Sequence, residues 1–205
     1  GFTRITNVID EGDMGSYRGA TFGYTDEVAE RISTWANPED AWVGGFYKYD
    51  WCDSYMGVAS FDKEAKTLTT EWPMSYGAKV DGRYYFFNVF EELDSEGEFY
   101  IDRTNGVMYI YTELKPEDIR IDMSVANFDL ISANNINYVT FDGLDVSETR
   151  NCGIVVKTSN NCTIKNCRVS LTSSAAVVFD GYNNVLSDNL ITNTAYNAVC
   201  FSGGD

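Results

Sequence analysis

The sequence predicts an all-β fold in which a small β-rich domain with one short helix precedes a parallel β-helix, a solenoid of stacked coils. Three observations predict the solenoid: short β-rich runs recur every 22 or 23 residues, Asn pairs separate them, and helical periodicity is missing from this part of the chain. The 205 residues accommodate one or two domains, and an apolar fraction of 44% suffices for a packed core.

Two independent columns of residues define the repeat. The first column starts three β-rich runs at offsets of 23 and 22 residues, at Gly153, Ala176 and Ala198. The second column has the same offsets and comprises Phe141, Ile164 and Leu186. Two columns that share one period predict coils of about 22–23 residues, each stacked on the preceding one.

A third column contains the Asn pairs that begin at Asn134, Asn160 and Asn183. Asn tolerates a left-handed backbone and bonds neighbouring main-chain groups, so these pairs predict the corners between strands. We assign residues 128–205 to the solenoid. Because the sequence stops in mid-coil and terminal coils need a polar cap, we expect the natural protein to continue beyond Asp205.

Residues 1–80 lack this period and are predicted to form the small β-rich domain. A helix is expected from about Thr25 to Trp35, with Thr25 as N-cap and two acidic residues in the first turn. Strands are expected at 41–49, 55–61 and 67–71. Residues 81–127 contain a tight hairpin around Asn105 and are expected to lead into the solenoid.

Six aromatic residues cluster between positions 35 and 51, namely Trp35, Trp42, Phe46, Tyr47, Tyr49 and Trp51. Aromatic rings present flat apolar faces with polar tips, so the cluster could stack on sugars. A domain this small also needs large side chains in its core. We favour the core, because Trp42, Phe46 and Trp51 do not share one face of an alternating strand.

Charge and composition exclude several functions. The 15 basic and 31 acidic residues give a net charge of −16, which opposes binding to nucleic acids and to anionic membrane surfaces. No run is apolar enough to span a membrane. The chain has no His, which excludes Ser-His-Asp and Cys-His nucleophiles. The five Cys lack zinc-site spacing, and Cys162 and Cys167 are interpreted as core thiols.

Three segments resemble bacterial right-handed β-helix proteins of the pectate-lyase-like superfamily. They are residues 42–51, residues 90–111 with Phe90-Glu-Glu-Leu-Asp and Gly106-Val-Met-Tyr-Ile-Tyr111, and Phe201-Ser-Gly-Gly-Asp205. The resemblance implies a right-handed single-stranded parallel β-helix with a small inserted domain. Members include polysaccharide lyases, polygalacturonases and glycoside hydrolases, mostly secreted, so the resemblance also implies a polysaccharide partner and a secreted or cell-surface location.

In such proteins the substrate usually lies along one parallel sheet and its flanking turns. The exposed column at that strand end reads Lys157, Asp180 and Ser202, with Tyr182 and Asp205 following. The working hypothesis is a β-helix glycoside hydrolase, in which one of Asp180 and Asp205 could act as general acid and the other as base or nucleophile. The alternative for both aspartates is that they are solvated or cap a corner of the solenoid.

Two other functions stay open. A polysaccharide lyase would use Lys157 or Arg150 as the base, with Ca²⁺ on the acids; otherwise no cofactor or metal is expected. A non-catalytic carbohydrate-binding or adhesion module would use the same face without chemistry. The acidic run from Glu91 to Glu98 is interpreted as a solvated face, because the spacing of a calcium loop is absent. A fragment that lacks part of its site is expected to be inactive.

Overall fold

The computed structural model describes residues 1–204 and divides the chain into two compact units, Gly1–Ile119 and a second that begins at Arg120. The first unit is an antiparallel β-rich region with one helix, and the second is a β-solenoid of about three turns, as the sequence predicts. The narrower division at residues 80 and 127 stays a prediction. No helix within residues 1–204 is long and apolar enough to cross a membrane.

The first unit is built on a seven-stranded sheet. Its strands are β1 (Thr3–Arg4), β2 (Val8–Asp10), β3 (Thr21–Gly23), β4 (Trp42–Phe46), β5 (Ser54–Asp62), β6 (Thr67–Thr70) and β7 (Arg83–Phe87). They are ordered β1-β7-β4-β5-β6-β3-β2, and every pairing is antiparallel. The predicted hairpin forms a separate two-stranded sheet of β8 (Phe99–Asp102) and β9 (Val107–Ile110).

The helix α1 (Asp26–Thr34) lies where the sequence predicts it. The Thr25 side chain accepts a hydrogen bond from the Val28 N–H, which satisfies one of the free donors at the helix start. Val28 and Ile32, four residues apart, share a face and are buried in one cluster with side chains from the sheet. The apolar stripe of α1 therefore covers one face of the sheet and closes the core.

The aromatic cluster divides between core and surface. Trp35 and Tyr47 are buried in the core, as predicted, and Trp42 and Phe46 are partly buried. The core interpretation is wrong for Tyr49 and Trp51, which lie exposed in the connection between β4 and β5. Strand alternation ends at Phe46, so the sequence pattern no longer determines which side chains point inward beyond it.

The second unit consists of three parallel sheets. The first contains β10 (Ile131–Asn134), β13 (Ile154–Lys157), β16 (Val177–Asp180) and β19 (Val199–Ser202). The second contains β11 (Thr140–Asp142), β14 (Thr163–Lys165) and β17 (Val185–Ser187). The third contains β12 (Asp145–Thr149), β15 (Arg168–Thr172) and β18 (Leu190–Thr194).

The observed register confirms the first two predicted columns. Phe141 pairs with Ile164 and Ile164 with Leu186, so the 23- and 22-residue offsets are single steps from coil to coil. The predicted Asn column is wrong, because Asn134 pairs with Lys157 and Asn160 bridges Asn137. The expected left-handed corners do occur, with φ of 54–55° at Asn135, Asn161 and Asn183, the last being the first residue of its pair. Cys162 and Cys167 are buried in the solenoid core, as predicted, and all five Cys are free thiols.

Candidate functional site

The candidate site is the edge of the first solenoid sheet at which its strands end. Asn134 pairs with Lys157, and Asp180 pairs with Ser202. Lys157 and Asp180 are the last residues of the adjacent strands β13 and β16. Because parallel strands end at the same edge of a sheet, the predicted column Lys157, Asp180, Ser202 lies along one side of the solenoid.

Asp180 is fixed by hydrogen bonds from the coils before and after its own. Its Oδ2 accepts from the Thr158 N–H at 3.1 Å, and its Oδ1 accepts from the Ser202 hydroxyl at 3.0 Å. The main-chain carbonyl of Asp180 accepts from the Ser159 N–H at 3.1 Å. The side chain is half-buried and bridges three coils, so its orientation is set by the stacking itself.

The turn after Asp180 requires glycine. Gly181 has a φ of +129°, and a Cβ there would lie 1.9 Å from the Ser159 carbonyl oxygen. Gly203, in the corresponding position of the next coil, has a φ of +102° and would place a Cβ 2.5 Å from the Gly181 oxygen. These glycines let successive backbones approach closely beneath the candidate site.

Tyr182 belongs to the same corner as Asp180. Its N–H donates to Asn160 Oδ1 at 2.8 Å and its carbonyl accepts from the Asn161 N–H at 3.0 Å, while its side chain is exposed. The amide that holds Tyr182 comes from the first residue of a predicted Asn pair. Lys157, Asp180 and Tyr182 are therefore brought together at one corner.

Arg150 does not join this group. It follows β12 and precedes β13, whose opposite end carries Lys157. Its N–H donates to the Ala126 carbonyl at 2.7 Å and its side chain is exposed. Asp205, the predicted partner of Asp180, lies outside the described residues. The assignments of these side chains to catalysis or substrate binding stay predictions.

A second polar group, which our sequence analysis missed, lies on the sheet of β11 and β14. Asp142 Oδ2 is 3.3 Å from Lys165 Nζ, and Asp142 Oδ1 accepts from Asn166 Nδ2 at 2.8 Å. The hydrogen bond from Asn166, with that from Lys165, lowers the pKa of Asp142. The repeat could have revealed this ion pair, because Asp142 and Lys165 are 23 residues apart, which is one step from coil to coil.

No group of three or more carboxylate, thiol or imidazole side chains that could hold a metal ion exists within residues 1–204. The acidic run is engaged in hydrogen bonds to the chain itself. Glu92 accepts from Arg31 Nε and Nη2 at 2.9 and 2.6 Å and from Trp35 Nε1 at 3.1 Å. The acidic stretch therefore ties α1 to the segment that follows β7.

Comparisons with known proteins agree with this architecture. A family profile described as "Right handed beta helix region" matches residues 75–205. A solved structure described as a glycoside hydrolase is similar in fold, with a TM-score of 0.58 and 12% sequence identity over 87% of this chain. The chain covers 41% of that protein. No curated protein matches the sequence.

Proposed function

The chain belongs to the right-handed β-helix family, and we propose that it acts in polysaccharide hydrolysis, with Asp180 as one of two carboxylates of a glycosidase site. The observation that carries the proposal is the half-buried Asp180 carboxylate, oriented by Thr158 and Ser202 at the strand-end edge of the sheet. The named function of the structural neighbour supports the same class of activity. A polysaccharide substrate further favours a secreted or cell-surface protein.

Asp180 is suited to the role of nucleophile or general base. Glycosidases need a carboxylate held in a fixed position beside the scissile bond, and two donors fix this one. Lys157 and the phenol of Tyr182 flank it and would bind substrate hydroxyls. Asp205 is proposed as the second carboxylate, and its separation from Asp180 would decide between retention and inversion of the anomeric centre.

A specific observation favours each of two alternative functions, a polysaccharide lyase and a glycan-binding module. Lys157 ends the strand beside Asp180, where it could abstract a proton from a uronate in a lyase reaction. Glycan binding without catalysis is favoured by the edge itself, because Asn134, Lys157 and Ser202 add no second carboxylate within the described residues.

The test is incubation of the purified chain with a panel of neutral and uronic polysaccharides. Released reducing ends and absorbance of unsaturated uronates distinguish hydrolysis from elimination, and calorimetry detects binding. The variant is Asp180→Asn. Its matched control is Asp142→Asn, which also changes an Asp that accepts a hydrogen bond from the next coil, but on another sheet.

Each outcome decides among the proposals. Reducing ends that disappear in Asp180→Asn and persist in Asp142→Asn support hydrolysis. Absorbance of unsaturated products that is lost in Lys157→Gln supports the lyase. Binding without product supports the carbohydrate-binding module. The absence of both binding and product across the panel would contradict a carbohydrate function for this chain.

A further inference from the structure

Three exposed aromatic rings form a compact cluster in the first unit. Tyr49 and Trp51 are stacked, with ring centroids 5.5 Å apart and an interplanar angle of 14°. Tyr76 lies edge-on to both, with centroid distances of 5.5 and 5.2 Å. The exposed fractions are 44% for Tyr49, 70% for Trp51 and 50% for Tyr76. We call these three residues the exposed aromatic cluster.

The indole of Trp51 has one covered face and one open face. Tyr49 covers one side, and a side chain that is still 70% exposed must present the other side to solvent. Contacts with Tyr49 and Tyr76 hold the ring in place, so little rotamer freedom remains to be lost when a ligand binds. The cluster is therefore a preorganised flat apolar surface.

Charged residues of both signs neighbour these rings in the sequence: Lys48 and Asp50 flank Tyr49, and Asp53 follows Trp51 by two positions. Lys48 Nζ lies 2.9 Å from Glu11 Oε2, and Arg83 Nη2 lies 2.8 Å from Asp50 Oδ1. Asp53 accepts a hydrogen bond of 2.8 Å from the Tyr55 hydroxyl. Because cations and anions are already paired, this rim suits a neutral ligand that both donates and accepts hydrogen bonds better than it suits an ion.

A sugar ring has the shape and chemistry that this surface requires. One face of a pyranose carries C–H groups, and its rim carries hydroxyls. A folded protein partner is disfavoured by size, because a stable interface covers about 800 Å² per partner, whereas one aromatic side chain buries about 150–250 Å² at most and these three are already partly covered. The net charge of −16 disfavours anionic polymers.

We propose that Tyr49, Trp51 and Tyr76 form a glycan-binding site for neutral pyranoses, separate from the edge that carries Asp180. The open face of Trp51 stacks on the C–H face of the sugar, while Lys48 and Asp53 bind hydroxyls at its rim. All three residues lie in the first unit, and Tyr49 and Trp51 lie outside the residues that the family profile matches. It does not depend on catalysis at Asp180.

The experiment is isothermal calorimetry of the whole chain with hexasaccharides of glucose, xylose, mannose and galactose, together with acrylamide quenching of tryptophan fluorescence. The variants are Trp51→Ala and Tyr49→Ala. Tyr196→Ala is the matched control, because Tyr196 is an exposed aromatic residue of the solenoid. Asp180→Asn tests the other site, and circular dichroism verifies that each variant is folded.

The proposal predicts that at least one hexasaccharide binds and protects Trp51 from acrylamide. Trp51→Ala should raise the dissociation constant about tenfold, as expected when a stacking contact is lost. Tyr196→Ala should leave it unchanged. Unaltered binding by folded Trp51→Ala, or no binding of any hexasaccharide by the wild-type chain, would overturn the proposal. Binding lost only in Asp180→Asn would also overturn the proposal, and it would support the site at Asp180 on the solenoid.

Discussion

Tyr47 and Tyr84 place their hydroxyls in the core of the first unit, where neither finds a hydrogen-bond partner within residues 1–204. Their rings pack with Phe22, at centroid distances of 5.9 and 5.1 Å. A buried hydroxyl that lacks a partner lowers stability, although the ring that carries it contributes by burial. These two residues stabilise the fold through their rings rather than through their polar atoms.

Tyr84→Phe should therefore raise the free energy of unfolding by about 1 kcal/mol, because it removes an unpaired hydroxyl and keeps the ring. Urea denaturation measures the change. Tyr100→Phe is the control, since the Tyr100 hydroxyl donates to Asp40 Oδ2 at 2.9 Å and its removal should destabilise the unit by about 1 kcal/mol. Equal losses in both variants would mean that the Tyr84 hydroxyl has a partner in solution.

At the scale of the elements, the corner after β16 depends on Gly181. Gly181→Ala should lower the unfolding free energy by more than about 2 kcal/mol, because the new Cβ would overlap the Ser159 carbonyl oxygen and the φ suits glycine alone. Gly143 also has a positive φ, but its Cβ position is open. Gly143→Ala should cost only about 1 kcal/mol of backbone strain. Thermal denaturation followed by circular dichroism measures the loss of stability in both variants. Equal losses would mean that the positive φ, rather than overlap of the new Cβ, causes the effect.

The solenoid could be predicted from the sequence because one period controls every contact between coils. The pairing of Phe141 with Ile164 follows directly from the offsets, and the backbone preferences of Asn indicate the left-handed corners at Asn161 and Asn183. The N-cap at Thr25 was equally accessible, since it depends on neighbours three residues away. Local and periodic relations can thus be deduced from one chain.

Contacts between residues that are distant in sequence could not be deduced. Arg31 and Glu92 form their ion pair across 61 positions, and no pattern in either segment indicates it. Trp51 lies in an irregular connection, where alternation no longer predicts which side chains are exposed. At the candidate site, the period places Asp180 beside Ser202, but the hydrogen bond from the Thr158 amide depends on a left-handed φ of 50° at Thr158 that the sequence does not indicate.

At the scale of the whole molecule, raised tyrosine pKa values in the first unit predict sensitivity to alkali. Burial raises the pKa of Tyr24, Tyr47 and Tyr84, and burial with the hydrogen bond to Asp40 raises the pKa of Tyr100 to about 12. Each group holds its proton more tightly in the folded state than in the unfolded state. The contribution of these protonated tyrosines to stability should therefore be fully present below about pH 10, the pKa of a free tyrosine. It should be lost as the pH rises toward the pKa values of the folded state.

Circular dichroism and the absorbance of tyrosinate, measured together from neutral to strongly alkaline pH, test this expectation. The buried tyrosines should ionise in the same transition in which the signal of the first unit is lost. Tyr84→Phe should shift that transition to higher pH, because one group that favours the unfolded state on ionisation has been removed. Ionisation of every tyrosine while the fold persists would contradict the burial seen at Tyr47 and Tyr84.

The net charge of −16 also makes the ionic-strength dependence of glycan binding informative. Affinity for a neutral polysaccharide should change little between about 0.01 and 0.3 M salt, whereas affinity for a uronate polymer should rise, because salt shortens the range over which the protein repels it from about 30 Å to under 10 Å. Calorimetry at several salt concentrations, with matched neutral and carboxylated forms of one polymer, measures both trends. If uronate binding instead weakens as salt is added, a local attraction outweighs the overall charge. Lys157, exposed beside Asp180, would then be the residue to replace, and the lyase would become the favoured activity.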